Sequence, residues 1–157
     1  FNKAVFVGKP FEQKDEIAEI IKNTVKNNEQ IIFDIHTNGM IRPVKIGKYK
    51  NINYYIELLL KKTNIDFKER INPSVINWFN QMENKYFLFN VNNEDEVDEA
   101  KTIALNNGLK KRDIYLLIDT NGNNELEVDK IKGYAKLNSL NIAIDFKKLL
   151  WPKDFND

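Results

Sequence analysis

Cysteine is absent from all 157 residues of the sequence. Disulfides, thiolate nucleophiles and cysteine-ligated metals are therefore excluded, and an iron–sulfur cluster cannot be held by this chain alone. Histidine occurs once, at His36, and a single imidazole builds no metal site without several carboxylates around it. An excess of one charge is missing too: 24 Lys and Arg stand against 23 Asp and Glu, a net charge of +1. That balance leaves no electrostatic footprint for nucleic acid, which is set aside as a partner. No apolar run approaches the roughly 20 residues of a membrane span, and no basic-then-apolar signal stretch appears. No membrane partner is expected, and a cytoplasmic location is the default.

What is present suffices for a core. Hydrophobic residues make up 42% and aromatic residues 11% of the chain, too rich for disorder even with 30% charged residues. The length fits one domain. The chain opens on Phe1-Asn2-Lys3-Ala4-Val5 without an initiator Met, which points to a processed product, a trimmed chain or a fragment.

Ala4-Val5-Phe6-Val7 is a short apolar run of the kind that forms a buried strand, stopped by Gly8-Lys9-Pro10. From Asp15 the period becomes helical: Ile17, Ile20, Ile21 and Val25 share a face, and Asn27-Asn28 end the helix. Residues 30–35 read as a second strand and 54–60 as a third, while 61–71 read as irregular. Asn72-Pro73 is a good helix start, and the helix runs through Gln81. Residues 85–91 form a fourth strand. Asn92 or Asn93 caps the next helix, whose first turn is acidic, and Gly108 lies just past its end. Residues 113–118 are a fifth strand, 128–140 a last helix and 141–145 a final strand. Leu149, Leu150 and Trp151 in the tail are expected to pack down as a lid. Trp78, Phe79, Tyr86, Phe87 and Phe89 have core-facing spacing.

Strands alternating with helices make βαβ units. The expected fold class is α/β: a partial (β/α) barrel, or an open, mainly parallel sheet of five to six strands flanked by helices, in one domain over 1–157.

In parallel α/β folds, ligands sit at the carboxyl ends of strands. Two such ends carry chemistry here, Phe6-Val7-Gly8-Lys9-Pro10-Phe11-Glu12-Gln13 and Asp34-Ile35-His36-Thr37-Asn38-Gly39. Each also has a purely structural reading. Gly8-Lys9-Pro10 reads equally as a strand-ending turn. His36 reads as a hydrogen-bonded strand-end histidine. Thr37-Asn38-Gly39 is ordinary turn chemistry, with Gly39 supplying a positive φ. Asp119-Thr120-Asn121-Gly122-Asn123-Asn124-Glu125 superficially resembles a calcium loop. The sixth and twelfth places are Asn124 and Lys130 rather than Gly and Glu, so no calcium site is expected.

The two strand ends resemble those of radical S-adenosylmethionine enzymes. The first is similar to their GGEP loop, with Gln13 matching the glutamine that follows it. The second is similar to their Glu-Thr-Asn-Gly strand end. Residues 56–65, Lys85-Tyr86-Phe87-Leu88-Phe89-Asn90-Val91 and Ile114-Tyr115-Leu116-Leu117 are similar to later segments of 7-carboxy-7-deazaguanine synthase, with Lys61 matching a lysine. The resemblance implies a partial barrel with S-adenosylmethionine as cofactor. It implies cofactor-binding roles for Gly8, Lys9, Pro10, Thr37 and Asn38, and substrate-binding roles for Gln13, His36 and Lys61. In the family a C-x-x-x-C-x-x-C loop after an earlier strand holds the cluster, so the resemblance places the start of this chain at the family's second strand. The pattern is altered at Val7, in place of a glycine, at Lys9, in place of the glutamate, and at His36, where a glutamate is common. An ammonium group cannot accept a hydrogen bond from the cofactor's amine and repels it.

Three functions follow as expectations. One is a radical enzyme-like domain of deazapurine and queuosine chemistry, acting on a pterin-like substrate and completed by a cysteine-bearing segment. Another is a non-catalytic relative, a pseudoenzyme, that binds a nucleotide-like small molecule or a protein. The third is an unrelated βα domain that binds a protein partner. A homo-oligomer or a completing chain is the expected macromolecular partner.

Overall fold

The computed structural model describes residues 3–8, 10–43 and 50–145, except for the side chain of Lys14. Lys9 and the tail with Leu149, Leu150 and Trp151 lie outside the described residues. The strands are β1 (Lys3–Phe6), β2 (Ile32–Thr37), β3 (Ile52–Glu57), β4 (Lys85–Asn90), β5 (Ile114–Ile118) and β6 (Asn141–Ile144). They form one parallel, open sheet in the order of the sequence. The helices are α1 (Lys14–Asn27), α2 (Phe67–Arg70), α3 (Pro73–Asn80), α4 (Glu94–Asn106) and α5 (Glu125–Leu137). The α/β class and the parallel sheet expected from the alternating pattern are both present. The chain divides into two compact units, residues 1–87 and 88–157.

In the first unit, β1 pairs with β2 from Lys3–Ile32 to Phe6–Ile35, and β2 with β3 from Phe33–Ile52 to Thr37–Ile56. Side chains alternate across a strand, so Phe33, Ile35, Ile52, Tyr54 and Ile56 point to one face, where all are buried. Phe11, from a 3-10 turn at Pro10–Gln13, and Phe79 of α3 meet Tyr54 there, with ring centroids 6.4 and 5.6 Å from it. This burial pushes the Tyr54 hydroxyl up to about 12. Right-handed crossovers in a sequentially ordered sheet put the helices of such a unit on that one face.

Several boundaries move for physical reasons. β2 runs two residues past the expected end, because the chain turns only at Gly39 (φ 71°). β3 leaves the ladder at Glu57, although Leu58 and Leu60 beyond it stay buried. The stretch expected to be irregular is ordered by Arg70, a buried cation. Its guanidinium donates to the carbonyls of Leu59 at 2.8 Å and Ile65 at 3.2 Å and lies over the Phe67 ring. On α1, Ile17 and Ile21 are buried, but Ile20 is 49% exposed and stands outside the packed stripe. Trp78 and Tyr86 are half-buried rather than core. Trp78 lies under the guanidinium of Arg42, which also donates to Ser74.

In the second unit, β5 pairs with β6 from Tyr115–Asn141 to Ile118–Ile144. Ile114, Leu116 and Ile118 form a buried row, and Val97, Ala100 and Ile103 of α4 and Val128, Ile131 and Ala135 of α5 are buried as well. Asn93 caps α4 by accepting from the Glu96 N–H at 2.9 Å. Glu94, Asp95 and Glu96 fill the first turn, where they oppose the positive end of the helix dipole. Gly108 takes the expected left-handed conformation at φ 64°.

The α5 helix starts at Glu125 rather than at Val128. Asn124 and Glu127 form a capping box, the Asn124 side chain accepting from the Glu127 N–H at 2.9 Å and the Glu127 carboxylate accepting from the Asn124 N–H at 3.1 Å. Asn124→Ala removes one side of this exchange, and urea denaturation is expected to show a loss of about 1 kcal/mol with an unchanged m-value.

Candidate functional site

Because β1, β2 and β3 are parallel neighbours, the loops that follow them leave the sheet at the same edge. The structure therefore brings the predicted loop residues of β1 and β2 side by side. Gly8 sits there with φ 82° and with nothing within 4 Å of where a Cβ would be, so its backbone is open to close approach. Pro10 is buried and Gln13 is exposed, both in the 3-10 turn ahead of α1. Lys61 is exposed at the start of the 3-10 turn Lys61–Thr63, beyond the end of β3.

At the end of β2 the turn side chains are engaged in the turn itself. The buried Thr37 hydroxyl accepts from the Gly39 N–H at 3.3 Å, and the Asn38 side-chain oxygen accepts from the Met40 N–H at 3.1 Å. The structural reading of Thr37-Asn38-Gly39 is thus the observed one, and any ligand role is additional to it. A Cβ on Gly39 would lie 2.9 Å from the Ile56 Cγ2 and 3.2 Å from the Leu58 Cδ2, so the turn is seated tightly against β3.

The opposite face of the sheet from Tyr54 and Phe79 carries a group of side chains that the motif reading did not assemble. Asp34 is fully buried in mid-strand. Its Oδ1 accepts from the Asn53 Nδ2 at 2.9 Å, and its Oδ2 lies 2.5 Å from the Lys3 Nζ. Two residues on, His36 stacks on Tyr55 with ring centroids 4.7 Å apart and planes 15° from parallel. Tyr55 in turn stacks on Tyr86 at 5.1 Å and 23°. A carboxylate, an ammonium group, an amide, an imidazole and two phenol rings thus line this face of the first unit. The sequence signal was the interruption of apolar β2 by Asp34 and His36, since a strand buried on both faces reads as a continuous apolar run.

Burial lowers the His36 pKa below its ordinary value. The nearby Asp34 carboxylate opposes that shift, and Lys3 adds to it. The imidazole is accordingly neutral at neutral pH, able to donate from one nitrogen and accept at the other. Among the described residues no group of three or more His, Asp or Glu side chains is placed to hold a metal ion, and no helix is long and apolar enough to cross a membrane.

Comparison with protein-family models and with curated proteins gives no match. Among solved structures, the chain is similar in fold to SuiB of Streptococcus suis, in a crystal structure bound to S-adenosylmethionine. The TM-score is 0.55 at 16% sequence identity, and the match covers 91% of this chain but only 37% of SuiB. At that identity the likeness is one of fold, and the chain spans little more than a third of its neighbour's length.

Two outcomes test the site's construction. Gly39→Ala combines a left-handed φ with a clash against Ile56, and is expected to cost about 1–3 kcal/mol in urea denaturation. For His36 the sign follows from its lowered pKa. Below about pH 6.5 the unfolded chain takes up a proton that the folded chain resists, so stability falls as the pH drops through that range. His36→Phe keeps a ring against Tyr55 without the titration. Its denaturation midpoint is expected to decline less between pH 7 and 5.5 than that of the parent chain.

Proposed function

We propose that this chain is a radical S-adenosylmethionine enzyme-like domain, similar to 7-carboxy-7-deazaguanine synthase, which binds S-adenosylmethionine at the carboxyl ends of β1 and β2. The observation that carries this reading is the ordered parallel sheet, which follows the fold of a structure bound to that molecule and sets the Gly8–Pro10 and His36–Asn38 ends on adjacent strands. Gly8 suits the role because its open, Cβ-free backbone allows a ligand to come close. Pro10, Thr37 and Asn38 would shape the cofactor side, with Gln13, His36 and Lys61 toward a pterin-like substrate. The same reading gives Lys9 a place beside the cofactor's amine.

The iron–sulfur cluster of such enzymes does not fit this chain, whose donor set contains no thiolate. In this reading a cysteine-bearing segment or a completing chain supplies it. A second reading, a non-catalytic relative that binds a nucleotide or a protein, is favoured by Lys9, whose cation stands where the resemblance expects a carboxylate.

Calorimetric titration separates the two. S-adenosylmethionine is expected to give a saturable heat, and Lys9→Glu to bind it about tenfold more tightly, on the order of 1.4 kcal/mol. Heat from nucleotides but none from S-adenosylmethionine would favour the non-catalytic relative. No heat from either overturns the small-molecule role. A C-x-x-x-C-x-x-C segment in the reading frame upstream of Phe1 would support the enzyme reading, and its absence there would count against it.

A further inference from the structure

The second unit carries a groove that shares no residue with the strand-end loops. It holds about 380 Å³ and opens on the helix side, between the second half of α4, the start of β5 and the turn that leads into β6. Its floor is Ala104, Ile114 and Leu140, all buried. Leu105 and Leu109 stand along the side of the groove. Leu105 is 80% exposed, so an apolar rim continues an apolar floor. The lining is much more apolar than polar, in a volume that suits a small ligand rather than a polypeptide.

Two lysines, Lys101 and Lys111, are among the lining residues, and the ammonium group of each is held in place. Lys111 donates from Nζ to the Asn138 carbonyl at 3.1 Å. Lys101 lies 3.3 Å from the Asp98 carboxylate and over the ring of Tyr134 at 5.9 Å. Asp98 is itself engaged, accepting from the Tyr134 hydroxyl at 2.8 Å. The carboxylate in the lining is thus already engaged by Lys101 and Tyr134, while each ammonium group has three donors in all, of which one goes to the Asn138 carbonyl or to Asp98. A ligand that fits these features is apolar in body and negative at one end.

We propose that this groove is a binding site for a small apolar anion, an aromatic or short-chain aliphatic molecule ending in a carboxylate or sulfonate, with its apolar body on Ala104, Leu105, Ile114 and Leu140 and its charge toward Lys111 and Lys101. The anionic end distinguishes such a ligand from a merely hydrophobic one, because each ammonium group favours a negative charge beside it.

The test titrates the full chain with 1-anilinonaphthalene-8-sulfonate under native conditions, following fluorescence, and competes it with octanoate. Saturable one-to-one binding that octanoate displaces is expected. Leu105→Asp is well exposed and so spares the fold, yet it puts a carboxylate on the apolar rim. It is expected to weaken the probe by about tenfold or more. Lys111→Gln is expected to weaken it by about threefold, with the effect shrinking in high salt. The neutral analogue N-phenyl-1-naphthylamine is expected to bind less tightly and to ignore Lys111→Gln. Absence of saturable binding, or indifference to both substitutions, overturns the site. If the neutral analogue binds as tightly as the sulfonate, the anion assignment fails.

Discussion

A parallel strand cannot turn straight back onto its neighbour, and the placing of the helices and strand-end loops follows from that constraint. Lys3 must pair with Ile32 and Tyr115 with Asn141, so each pair needs a connection long enough to return the chain to its starting edge. With right-handed connections and strands laid down in order, the helices of a unit gather on one face and the loops after the strands gather at one end. The Gly8 and Thr37 loops are neighbours for this reason, although 28 residues separate them in the sequence. The same rule leaves the other face of the first unit to be filled by strand side chains alone.

That face is where the sequence departs from simple core chemistry. A fully buried carboxylate in mid-strand is costly unless paired and hydrogen-bonded. Asp34 has both, through Lys3 on one neighbouring strand and Asn53 on the other. The arrangement fixes three strands against one another at a polar point and sets a negative charge beside His36. An apolar residue in place of Asp34 would pack without this dependence on partners, which is why the position draws the eye as chemistry rather than scaffold. The stacked His36, Tyr55 and Tyr86 rings extend the same face with amphipathic groups.

Much of the fold was legible in the sequence because it is local. The Asn72-Pro73 start, the acidic first turn after Asn93 and the left-handed Gly39 and Gly108 each declare a boundary within a few residues. What could not be read depends on distant partners. Arg70 orders a polar stretch only because the Leu59 and Ile65 carbonyls come to it. Ile20 shares a helical stripe with Ile17 and Ile21, yet it is 49% exposed where they are buried, and the stripe alone does not say where the packed face ends. The α5 helix begins three residues before Val128, because the Asn124–Glu127 capping box starts it ahead of the buried positions Val128, Ile131 and Ala135. Of the candidate site, the loop residues were found from the strand ends, whereas Lys3, Asn53, Tyr55 and Tyr86 join it only through register.

The strand order also has a consequence in time. With no hairpin among the six strands, no pair of strands can form from a short loop alone. Each pairing waits on a large loss of chain entropy before it is rewarded. Phe33 stacks on Phe6 of β1 at 6.0 Å, a contact that the whole β1–β2 connection must close before it forms. Pairings of this kind are non-local, and they form more slowly than the local contacts of a hairpin.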